Sequence, residues 1–528
     1  MNSLKILDVT LRDGGCVNDF NFGQTYMEKI LAAEENSGVD IIELGYIDEI
    51  KGSESGRTQY INERVIPKCI LKKKKPGITY VAMIDYGEFD ISKLEPKSEN
   101  GIDGIRLAFH KKNRIDIVPV GKEIIEKGYK LYIQPMITFG YTDTELLEMI
   151  ELVNTELSDA SGFYIVDSLG EMRINDMNRV MNLVDHNLIP CMTLGFHSHN
   201  NLQLSYSNAI AMLQFPTNRD LILDCSIMGM GKGAGNLNTE LLMEHLNLYY
   251  GKCYNIPPLL TVIDEVLNQL HTEFYWGYSI EYYLSSVNHC SPSYASYFYN
   301  KHMLPIEKVG ELLSMISEEK KISFDEAYAE TLYRQYNERK FVDDENVIKE
   351  LAESFAGKRV LLVAVGKSIK KEFDLIRQLS AEEDVVSIGL NCALDLGFTY
   401  LLCTRHEIYN AALQEGRSII TTSSVSKEQK ENVKILNYSK WIKIDEQTHD
   451  SSLVIVLNLL QTCDVREVML IGFDGFSANI NENYYDSNMR RPVNINQVKE
   501  RNQFNKAFIK SKREAGMNIR FLTPSVYE

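Results

Sequence analysis

Up to about residue 240 the chain alternates short β-prone runs with amphipathic helical segments, such as Gln24–Ser37 and 142–157. The β-prone runs lie at residues 6–10, 41–46, 78–84, 104–109, 131–136, 163–167, 192–196 and 221–226. Eight successive βα repeats can close their strands into a ring covered by helices. The pattern predicts an α/β protein with a (β/α)8 TIM barrel. An open doubly wound sheet stays as the alternative, because strand order cannot be read from sequence.

Composition limits the class of protein. A length of 528 residues indicates more than one domain, and 44% hydrophobic with 24% charged residues is typical of ordinary folded cores. A formal charge of −17 argues against a nucleic-acid binder. No apolar run is long enough to span a bilayer and the N-terminus has no signal-peptide core, so we expect a cytoplasmic protein. Nine cysteines without a Cys-x-x-Cys pair indicate reduced thiols.

A His-x-His pair follows the seventh β-prone run, within Gly195-Phe196-His197-Ser198-His199-Asn200-Asn201. Residues two apart on a strand point to the same face, so the two imidazoles can converge on one divalent metal. The pair alone fits a polar turn as well, and a third ligand would decide between the two interpretations.

A candidate third ligand follows the first β-prone run, in Arg12-Asp13-Gly14-Gly15. The paired glycines let the backbone turn and let a ligand approach closely. Arg12 offers a fork of donors and Asp13 offers a hard oxygen, although an ordinary turn with an internal ion pair would look the same.

Other polar residues also lie at or near the carboxyl ends of predicted strands. Parallel barrel strands end on one face, where barrel enzymes place their chemistry. The residues at or near predicted strand ends are Arg12, Asp13, Glu43, Asp85, Gln134, Asp167, His197 and His199.

A glycine-rich loop, 229–236, follows the eighth β-prone run. It closes a barrel rather than opening a βαβ unit, which excludes a dinucleotide-binding motif. Its amides, such as that of Gly233, can hold a carboxylate or phosphate, or the loop is only a tight return. Lys232 is a candidate anion partner, and Asn236 is a candidate metal ligand or a support for one.

Three ordered motifs resemble the HMG-CoA-lyase-like (DRE-TIM) metallolyase superfamily. They are Leu11-Arg12-Asp13-Gly14, His197-Ser198-His199-Asn200-Asn201, and the 229–236 loop followed by Thr239-Glu240. Within that superfamily the chain most resembles 4-hydroxy-2-oxovalerate aldolase, from Leu4 to the early 330s. The motifs are specific for the superfamily and much less so for the substrate.

The resemblance implies a divalent ion held by Asp13, His197 and His199, with Asn236 beside it. Mn²⁺ or Mg²⁺ suits this set of ligands, and Zn²⁺ or Co²⁺ can also occupy it. The implied substrates are a 2-oxo acid such as pyruvate and an aldehyde. Arg12 would stabilise the developing oxyanion. Gln134, Lys232 and Gly233 are the expected substrate-binding residues.

One position departs from the aldolases. Their histidine thought to be the catalytic base comes three residues after the motif aspartate, where this chain has Cys16. A neutral thiol does not replace imidazole at pH 7 unless its pKa is strongly lowered. The base therefore stays open among Cys16, Glu43, Asp167 and a hydroxide on the metal.

The aromatic-rich pattern of residues 251–337 predicts a helical extension of the barrel, which is predicted to span 1–250. In the aldolases such an extension covers the barrel mouth, contributes a tyrosine and contacts a partner dehydrogenase. Tyr278 is the candidate here. The remaining aromatic residues indicate core or a homo-oligomer interface.

A second domain, 356–528, is predicted after a charged linker at 338–355. Its β-prone runs, at about 358–365, 385–390, 400–403, 418–421, 468–472 and 519–523, indicate a smaller Rossmann-like α/β domain. In the order of its elements, with Gly389-Leu390-Asn391, Leu402-Cys403-Thr404-Arg405 and Ile471-Gly472-Phe473-Asp474-Gly475, it resembles sialyltransferase-like and pterin-pyrophosphokinase-like Rossmann proteins. The resemblance implies a nucleotide or nucleotide-sugar ligand; loop turns and caps are the alternative explanation. The candidate ligand-binding residues are Lys367, Ser368, Asn391, Thr404, Arg405 and Asp474.

Together these features predict a metal-dependent aldolase or lyase, fused to a second domain for making an unusual sugar-like acid or surface polysaccharide. Two alternatives stay open. One is an acyl-CoA-dependent Claisen-type synthase. The other is a degenerate barrel supporting a nucleotide-sugar-dependent transferase; the retained metal-ligand types count against it and Cys16 counts for it.

Overall fold

A computed structural model describes most of the chain as two compact units. The described residues are 3–49, 55–71, 73–301, 306–338, 341–444, 447–448, 451–477, 479–486 and 495–528. One unit consists of Met1–Tyr297 and Val309–Phe324, and the other of Phe298–Lys308 and Asp325–Glu528.

Eight parallel strands form a closed ring in the first unit. They are β1 (Leu4–Asp8), β2 (Ile41–Ile47), β3 (Thr79–Asp85), β4 (Gly104–Phe109), β5 (Lys130–Pro135), β6 (Gly162–Asp167), β7 (Thr193–Ser198) and β8 (Leu221–Cys225). Each strand pairs with the next, and β1 pairs with both β2 and β8. A two-residue strand, Gln59–Tyr60, joins β2 outside the ring. The predicted TIM barrel is confirmed, and the open sheet is excluded.

Helices connect most of these strands. They are Gln24–Ser37, Ile66–Cys69, Ile117–Glu126, Asp143–Glu156, Ile174–Asn187, Ser205–Gln214 and Thr239–Tyr249. Strand β3 is followed only by a 3₁₀ turn, Ile91–Lys93. The Asp143–Glu156 helix shows how local sequence sets a boundary: the Thr142 hydroxyl accepts from the Glu145 amide at 3.3 Å, and the Glu145 carboxylate accepts from the Thr142 amide at 2.9 Å. This capping box satisfies two amides of the first turn.

Alternate strand residues fill the barrel interior. The buried interior cluster is Leu7, Val9, Ile41, Val81, Tyr132, Tyr164, Val166 and Ile222. Because side chains alternate along a strand, Glu43, Asp85 and Asp224 lie in the same inward register, above Ile41, Val81 and Ile222. Charged side chains therefore face the interior near the carboxyl ends of the strands.

Short helices follow the barrel. Their bounds are Pro257–Val262, Ile263–Leu267, Asn268–Glu273, Ile280–Val287, Pro292–Ser296, Tyr297–Lys301, Ile306–Ser314, Glu318–Lys321 and Glu326–Glu338. Trp276, only 3% exposed, belongs to the main barrel core, and its indole nitrogen donates to the Met228 carbonyl at 3.0 Å.

The second unit contains a seven-stranded parallel sheet. Its strands are β9 (Arg359–Val363), β10 (Val385–Leu390), β11 (Tyr400–Cys403), β12 (Ile419–Thr422), β13 (Val433–Leu436), β14 (Glu467–Ile471) and β15 (Asn518–Phe521), in the spatial order β13-β12-β11-β10-β9-β14-β15. Its helices and 3₁₀ turns are Glu345–Phe355, Lys367–Lys371, Phe373–Ser380, His406–Gln414, Tyr438–Trp441, Ser452–Thr462, Ile480–Glu482 and Ile495–Glu514. A two-residue antiparallel pair, Lys443–Ile444 with Gln447–Thr448, completes the strands described. The predicted second α/β domain is confirmed.

Two segments differ from the sequence expectation. The expected linker at 338–355 contains the helix Glu345–Phe355, whose Leu351 and Phe355 are buried in the core of the second unit; its many charges hid this apolar spacing. Residues 325–337, expected in the barrel's extension, also belong to the second unit. Residues 339 and 340 lie outside the described ranges.

Within the described ranges, no helix has the length and apolar character needed to cross a membrane. The nine cysteines are all free thiols.

Candidate metal centre

Asp13, His197 and His199 converge at the carboxyl end of the barrel. Asp13 lies in the turn after β1, His197 is in β7, and His199 follows the end of that strand. The Oδ2 atom of Asp13 is 3.6 Å from Nε2 of His197 and 3.9 Å from Nε2 of His199. All three are buried, and their ligand atoms lie within 4.8 Å of one another. One ion can contact a carboxylate oxygen and two ring nitrogens here, a donor set that suits a divalent metal.

The electrostatics keep two of these ligands in the forms that bind metals. Burial lowers the pKa of His199 to about 4, although Asp13 opposes the shift, so this imidazole is neutral at pH 7. Burial opposes ionisation of Asp13, but Arg12 and the two histidines hold the pKa of Asp13 well below its usual range. Asp13 is therefore a carboxylate at neutral pH.

Arg12 is tied to two carboxylates. Its Nη1 donates to Oδ2 of Asp13 at 2.5 Å and its Nε donates to Oε2 of Glu43 at 2.7 Å. These two hydrogen bonds fix the plane of a guanidinium that is only 4% exposed. Its Nη2 has no hydrogen-bond partner among the described residues, so a buried donor is left over beside the metal ligands.

A second arginine inside the barrel links Glu43 to His197. Arg106, which is fully buried, donates from Nη1 to Oε2 of Glu43 at 2.8 Å and from Nη2 to Oδ2 of Asp224. The same Asp224 oxygen is 3.0 Å from Nδ1 of His197. A carboxylate on one ring nitrogen directs the other nitrogen at a metal and fixes the tautomer. Asp224 therefore orients His197, and Arg106 orients Asp224.

The glycine-rich loop folds back onto Asp13. A Cβ on Gly231 would lie 2.1 Å from Nδ2 of Asn236, and one on Gly235 would lie 1.9 Å from the Gly229 carbonyl, so both close approaches require glycine. Asp13 Oδ1 accepts from the Lys232 amide at 2.9 Å and from Nδ2 of Asn236 at 3.2 Å. The loop thus holds the carboxylate ligand in place.

Other buried polar atoms at this end of the barrel are also unpaired. Across the described residues, no hydrogen-bond partner is present for Glu43 Oε1, Asp85 Oδ1, Gln134 Nε2, His199 Nδ1, Asp224 Oδ1 and Asn236 Oδ1. Buried polar groups are normally satisfied, so such a concentration indicates a place where a ligand or water supplies the missing partners.

Comparison with known proteins agrees with this geometry. Residues 112–253 match the family model described as HMGL-like. The 4-hydroxy-2-oxovalerate aldolase of Geobacillus genomosp. 3 is 27% identical over 252 residues, covering 46% of this chain and 71% of the relative. The 4-hydroxy-2-oxovalerate aldolase 2 of Comamonas testosteroni is 27% identical over 246 residues, covering 46% and 67%. The barrel is therefore similar to the HMGL-like family and to these aldolases.

Among solved structures, the HMG-CoA lyase of Brucella melitensis is 14% identical, with a TM-score of 0.40, covering 51% of this chain and all of that protein (100%). The HMGL-like match and the two aldolases indicate that the barrel is that of a carbon–carbon lyase, and its buried Asp/His/His cluster fits a divalent metal.

The side chains predicted as catalytic bases are either held in hydrogen bonds or protonated. The Cys16 side chain is exposed, but desolvation by its surroundings and the nearby Asp13 carboxylate both raise its pKa above the ordinary thiol value, so the thiol is neutral at pH 7. Glu43 accepts from both Arg12 and Arg106. The Asp167 carboxylate accepts from two loop amides, those of Glu171 and Met172, each at 3.0 Å.

The other predicted site residues differ in their surroundings. Lys232 has an exposed side chain and Gly233 is half-buried, with φ +68° beside Asn201. Of the loop amides considered for an anion, that of Ala234 donates to Oδ1 of Asn201 at 2.8 Å. Tyr278 is 52% exposed on the extension.

The predicted ligand residues of the second sheet mostly pair with one another. The Ser368 amide donates to Asp474 Oδ2 at 2.7 Å and its hydroxyl donates to Oδ1 at 2.5 Å. The Asn391 side chain donates to the Thr404 hydroxyl at 2.8 Å and accepts from its amide at 2.9 Å. Lys367 pairs with Glu482 at 2.6 Å. Arg405 is half-buried and immediately precedes the helix His406–Gln414.

Sequence reasoning did not single out Arg106 and Asp224. Both lie inside β-prone runs, where a charged residue is typical of a solvent-facing position. Their inward register was the available signal: Asp224 is two residues after the interior Ile222, and Arg106 pairs with Met83, two residues after Val81.

Proposed function

We propose that this protein is a divalent-metal-dependent aldolase that forms or cleaves a carbon–carbon bond through the enolate of a 2-oxo acid such as pyruvate. The proposed second substrate is an aldehyde, and the proposed ion is Mn²⁺ or Mg²⁺. The observation that carries the proposal is the convergence of Asp13, His197 and His199 beside the unpaired Nη2 of Arg12. An anionic substrate would supply the partner that this donor lacks.

The residues of the site have two proposed tasks, binding the metal ion and donating hydrogen bonds to the substrate. Asp13, His197 and His199 hold the ion, with Asn236 beside them, and the ion when bound supplies a Lewis acid for enolate formation. Arg12 directs Nη2 at a substrate oxygen that gains negative charge. Gln134, from β5, offers its unpaired Nε2 as a second donor. In a buried site such donors act more strongly than in water and need no reorganisation.

Hydrogen exchange at the pyruvate methyl group tests the proposal directly. The full-length protein, loaded with Mn²⁺ or Mg²⁺, is incubated with pyruvate in D₂O, and deuterium incorporation is followed by mass spectrometry. We expect exchange that stops on chelation and in His199→Ala. As a matched surface control, Asp159→Asn removes an exposed carboxylate and should exchange like wild type. If the metal-loaded protein does not exchange the methyl protons of pyruvate, the proposal that it forms the enolate of pyruvate is overturned.

The acceptor is proposed to be a sugar-like aldehyde, which gives an unusual sugar acid for a surface polysaccharide. The fusion to a Rossmann-like domain supports this assignment. Incubation with pyruvate and a panel of hydroxyaldehydes should give a product of summed mass. Faster product formation from an acyl-CoA thioester than from any aldehyde would instead favour the Claisen-type synthase.

For the second domain we propose a nucleotide or nucleotide-sugar site. In the sheet order, successive strands run from β9 to β13 in one direction, and β14 then pairs on the other side of β9. Ligands of open α/β sheets bind at such a switch point, outside the carboxyl ends of the strands. Ser368 and Asp474 follow β9 and β14 there. Calorimetric titration with uridine diphosphate and cytidine monophosphate tests the site, and the absence of heat with both would contradict it.

A homo-oligomer and a cytoplasmic location also stay predictions. Tyr249, Tyr250 and Leu248 are exposed at the end of the helix Thr239–Tyr249 and support self-association. Light scattering of the purified protein measures its mass, and a monomeric mass would contradict the first prediction.

A further inference from the structure

Asp85 is a carboxylate inside the barrel that the proposed function has not yet used. It is the last residue of β3. Alternation along β3 places Val81, Met83 and Asp85 in one register, and Val81 belongs to the interior cluster. Met83 pairs with Arg106, whose buried guanidinium reaches Glu43 and Asp224. Asp85 therefore faces the interior, one step closer to the carboxyl end than the charged network.

This carboxylate is less engaged than the other candidate bases. Its Oδ1 is buried, with no hydrogen-bond partner in the part of the chain that the structure describes. Glu43 also has one unpaired oxygen, Oε1, but its Oε2 accepts from two arginines, and Asp167 accepts from two loop amides. Asp85 thus retains a free lone pair facing the site.

The charges around Asp85 belong to the metal centre and its rim. Arg12, from the turn after β1, and Lys232, from the glycine-rich loop, act on it as cations, whereas Glu43 of β2 and Glu88 of its own loop act as anions. The negative charge of Asp85 in turn contributes to raising the pKa of the Tyr46 hydroxyl and of the Cys16 thiol. Arg12, which the proposed function assigns to a substrate oxygen, is thus the cation common to Asp13 and Asp85.

We propose that Asp85 is the general base that removes a proton from the methyl carbon of the 2-oxo acid, in the role for which Cys16 is unsuited. The C–H electron pair becomes the enolate C=C bond, the carbonyl π pair moves onto oxygen, and the proton passes to the Asp85 carboxylate. In the reverse direction the Asp85 carboxyl returns the proton to carbon. This inference rests on the proposed enolate chemistry.

The protonation behaviour of Asp85 is consistent with this role. Burial raises the pKa of Asp85 to about 6, with Arg12 opposing the shift. A base works best when its pKa lies near the working pH, because it is then both deprotonated and able to accept a proton. The exchange rate should rise with pH through about 6 as the carboxylate forms and then level off.

The test compares pyruvate exchange in wild type, Asp85→Asn and Asp85→Glu, each as the metal-loaded full-length protein. Asp85→Asn keeps the shape of the side chain but cannot accept the proton, so we expect a loss of about 10²–10⁴-fold. Asp85→Glu keeps a carboxylate and should recover part of the rate. As a matched local control, Glu99→Gln removes an exposed carboxylate later in the loop after β3 and should exchange like wild type.

A second readout distinguishes a missing base from a damaged site. Oxalate resembles the planar enolate of pyruvate, and its affinity for the metal-loaded protein can be measured by calorimetry. Asp85→Asn should bind oxalate within about threefold of wild type while losing exchange, because the base acts on the transition state and not on ground-state binding. The pH-dependent rise near 6 should also disappear in this variant.

The outcomes are separable. Exchange in wild type with its loss in Asp85→Asn, at preserved oxalate affinity, supports the proposal. Exchange in Asp85→Asn at the wild-type rate overturns the role of Asp85 and leaves the enolate chemistry standing. Equal losses of exchange and oxalate affinity also overturn it, since Asp85 would then hold the site together. Wild-type protein that binds metal without exchanging pyruvate overturns both proposals.

Discussion

The barrel and the second sheet both carry polar residues at the carboxyl ends of parallel strands, but they use them differently. In the barrel, Arg12 Nη2, Asp85 Oδ1 and Gln134 Nε2 are buried and unpaired within the described residues. In the second sheet, Ser368 bonds Asp474 and Asn391 bonds Thr404, so the corresponding residues join neighbouring loops. Polar residues at the same kind of strand edge thus leave buried atoms unpaired in the barrel but pair with one another in the second sheet.

The difference also appears in the cost of burial. Arg106 is fully buried among carboxylates, and desolvation of such charges costs several kcal/mol per ion unless each is well paired. The half-buried pairs of the second sheet avoid most of that cost. In the barrel the buried charge network fixes the guanidinium of Arg12 through Glu43 and the ring of His197 through Asp224.

Removing the carboxylate ligand should have the largest effect. Asp13→Asn takes the negative charge from the metal centre and leaves Arg12 with one carboxylate partner. Lewis-acid stabilisation is worth several kcal/mol, so we expect the exchange rate to fall about 10³-fold. Metal content by atomic emission should fall with it. A variant that keeps stoichiometric metal and the wild-type rate would mean that the cluster is not the catalytic centre.

Breaking the network at its middle should cost stability. Arg106→Met leaves Glu43 and Asp224 buried without their shared cation, and loss of one partner of a buried ion pair typically costs about 3–5 kcal/mol. Hydrogen-exchange mass spectrometry of peptides covering β4 and β8 measures this loss. The control is Arg114→Met, since Arg114 forms a partly exposed pair with Glu148 at 3.6 Å and such pairs contribute about 1 kcal/mol or less. Equal effects of the two variants would contradict a structural role for the network.

Asp224→Asn tests orientation rather than ligation. The amide keeps the size of the side chain but weakens its hold on Nδ1 of His197. Substitution of a residue that supports a metal ligand typically lowers metal affinity about 10–100-fold. Competition with a chelator measures the affinity, and an unchanged value would show that His197 needs no orienting carboxylate.

The strands of the barrel could be predicted from sequence because parallel strands buried on both faces appear as continuous apolar runs. Asp13, His197 and His199 could be singled out because they follow such runs directly. Arg106 and Asp224 could not, since their place is set by the closure of the ring, which turns alternate residues inward. The strand Val433–Leu436 escaped notice because Lys434 interrupts a run of only four residues.

The smallest effect should come from the second sheet. Ser368→Ala removes the hydroxyl that donates to Asp474 but leaves the backbone amide bond in place. Loss of one half-buried hydrogen bond costs about 1 kcal/mol, so hydrogen exchange near β9 and β14 should quicken slightly, while pyruvate exchange in the barrel stays at the wild-type rate. Asn391→Ala breaks the neighbouring pair and provides a matched comparison. If Ser368→Ala instead lowers pyruvate exchange, the second sheet is coupled to the chemistry of the barrel, and the contrast between an edge with unpaired polar atoms and one with paired polar atoms fails to separate their roles.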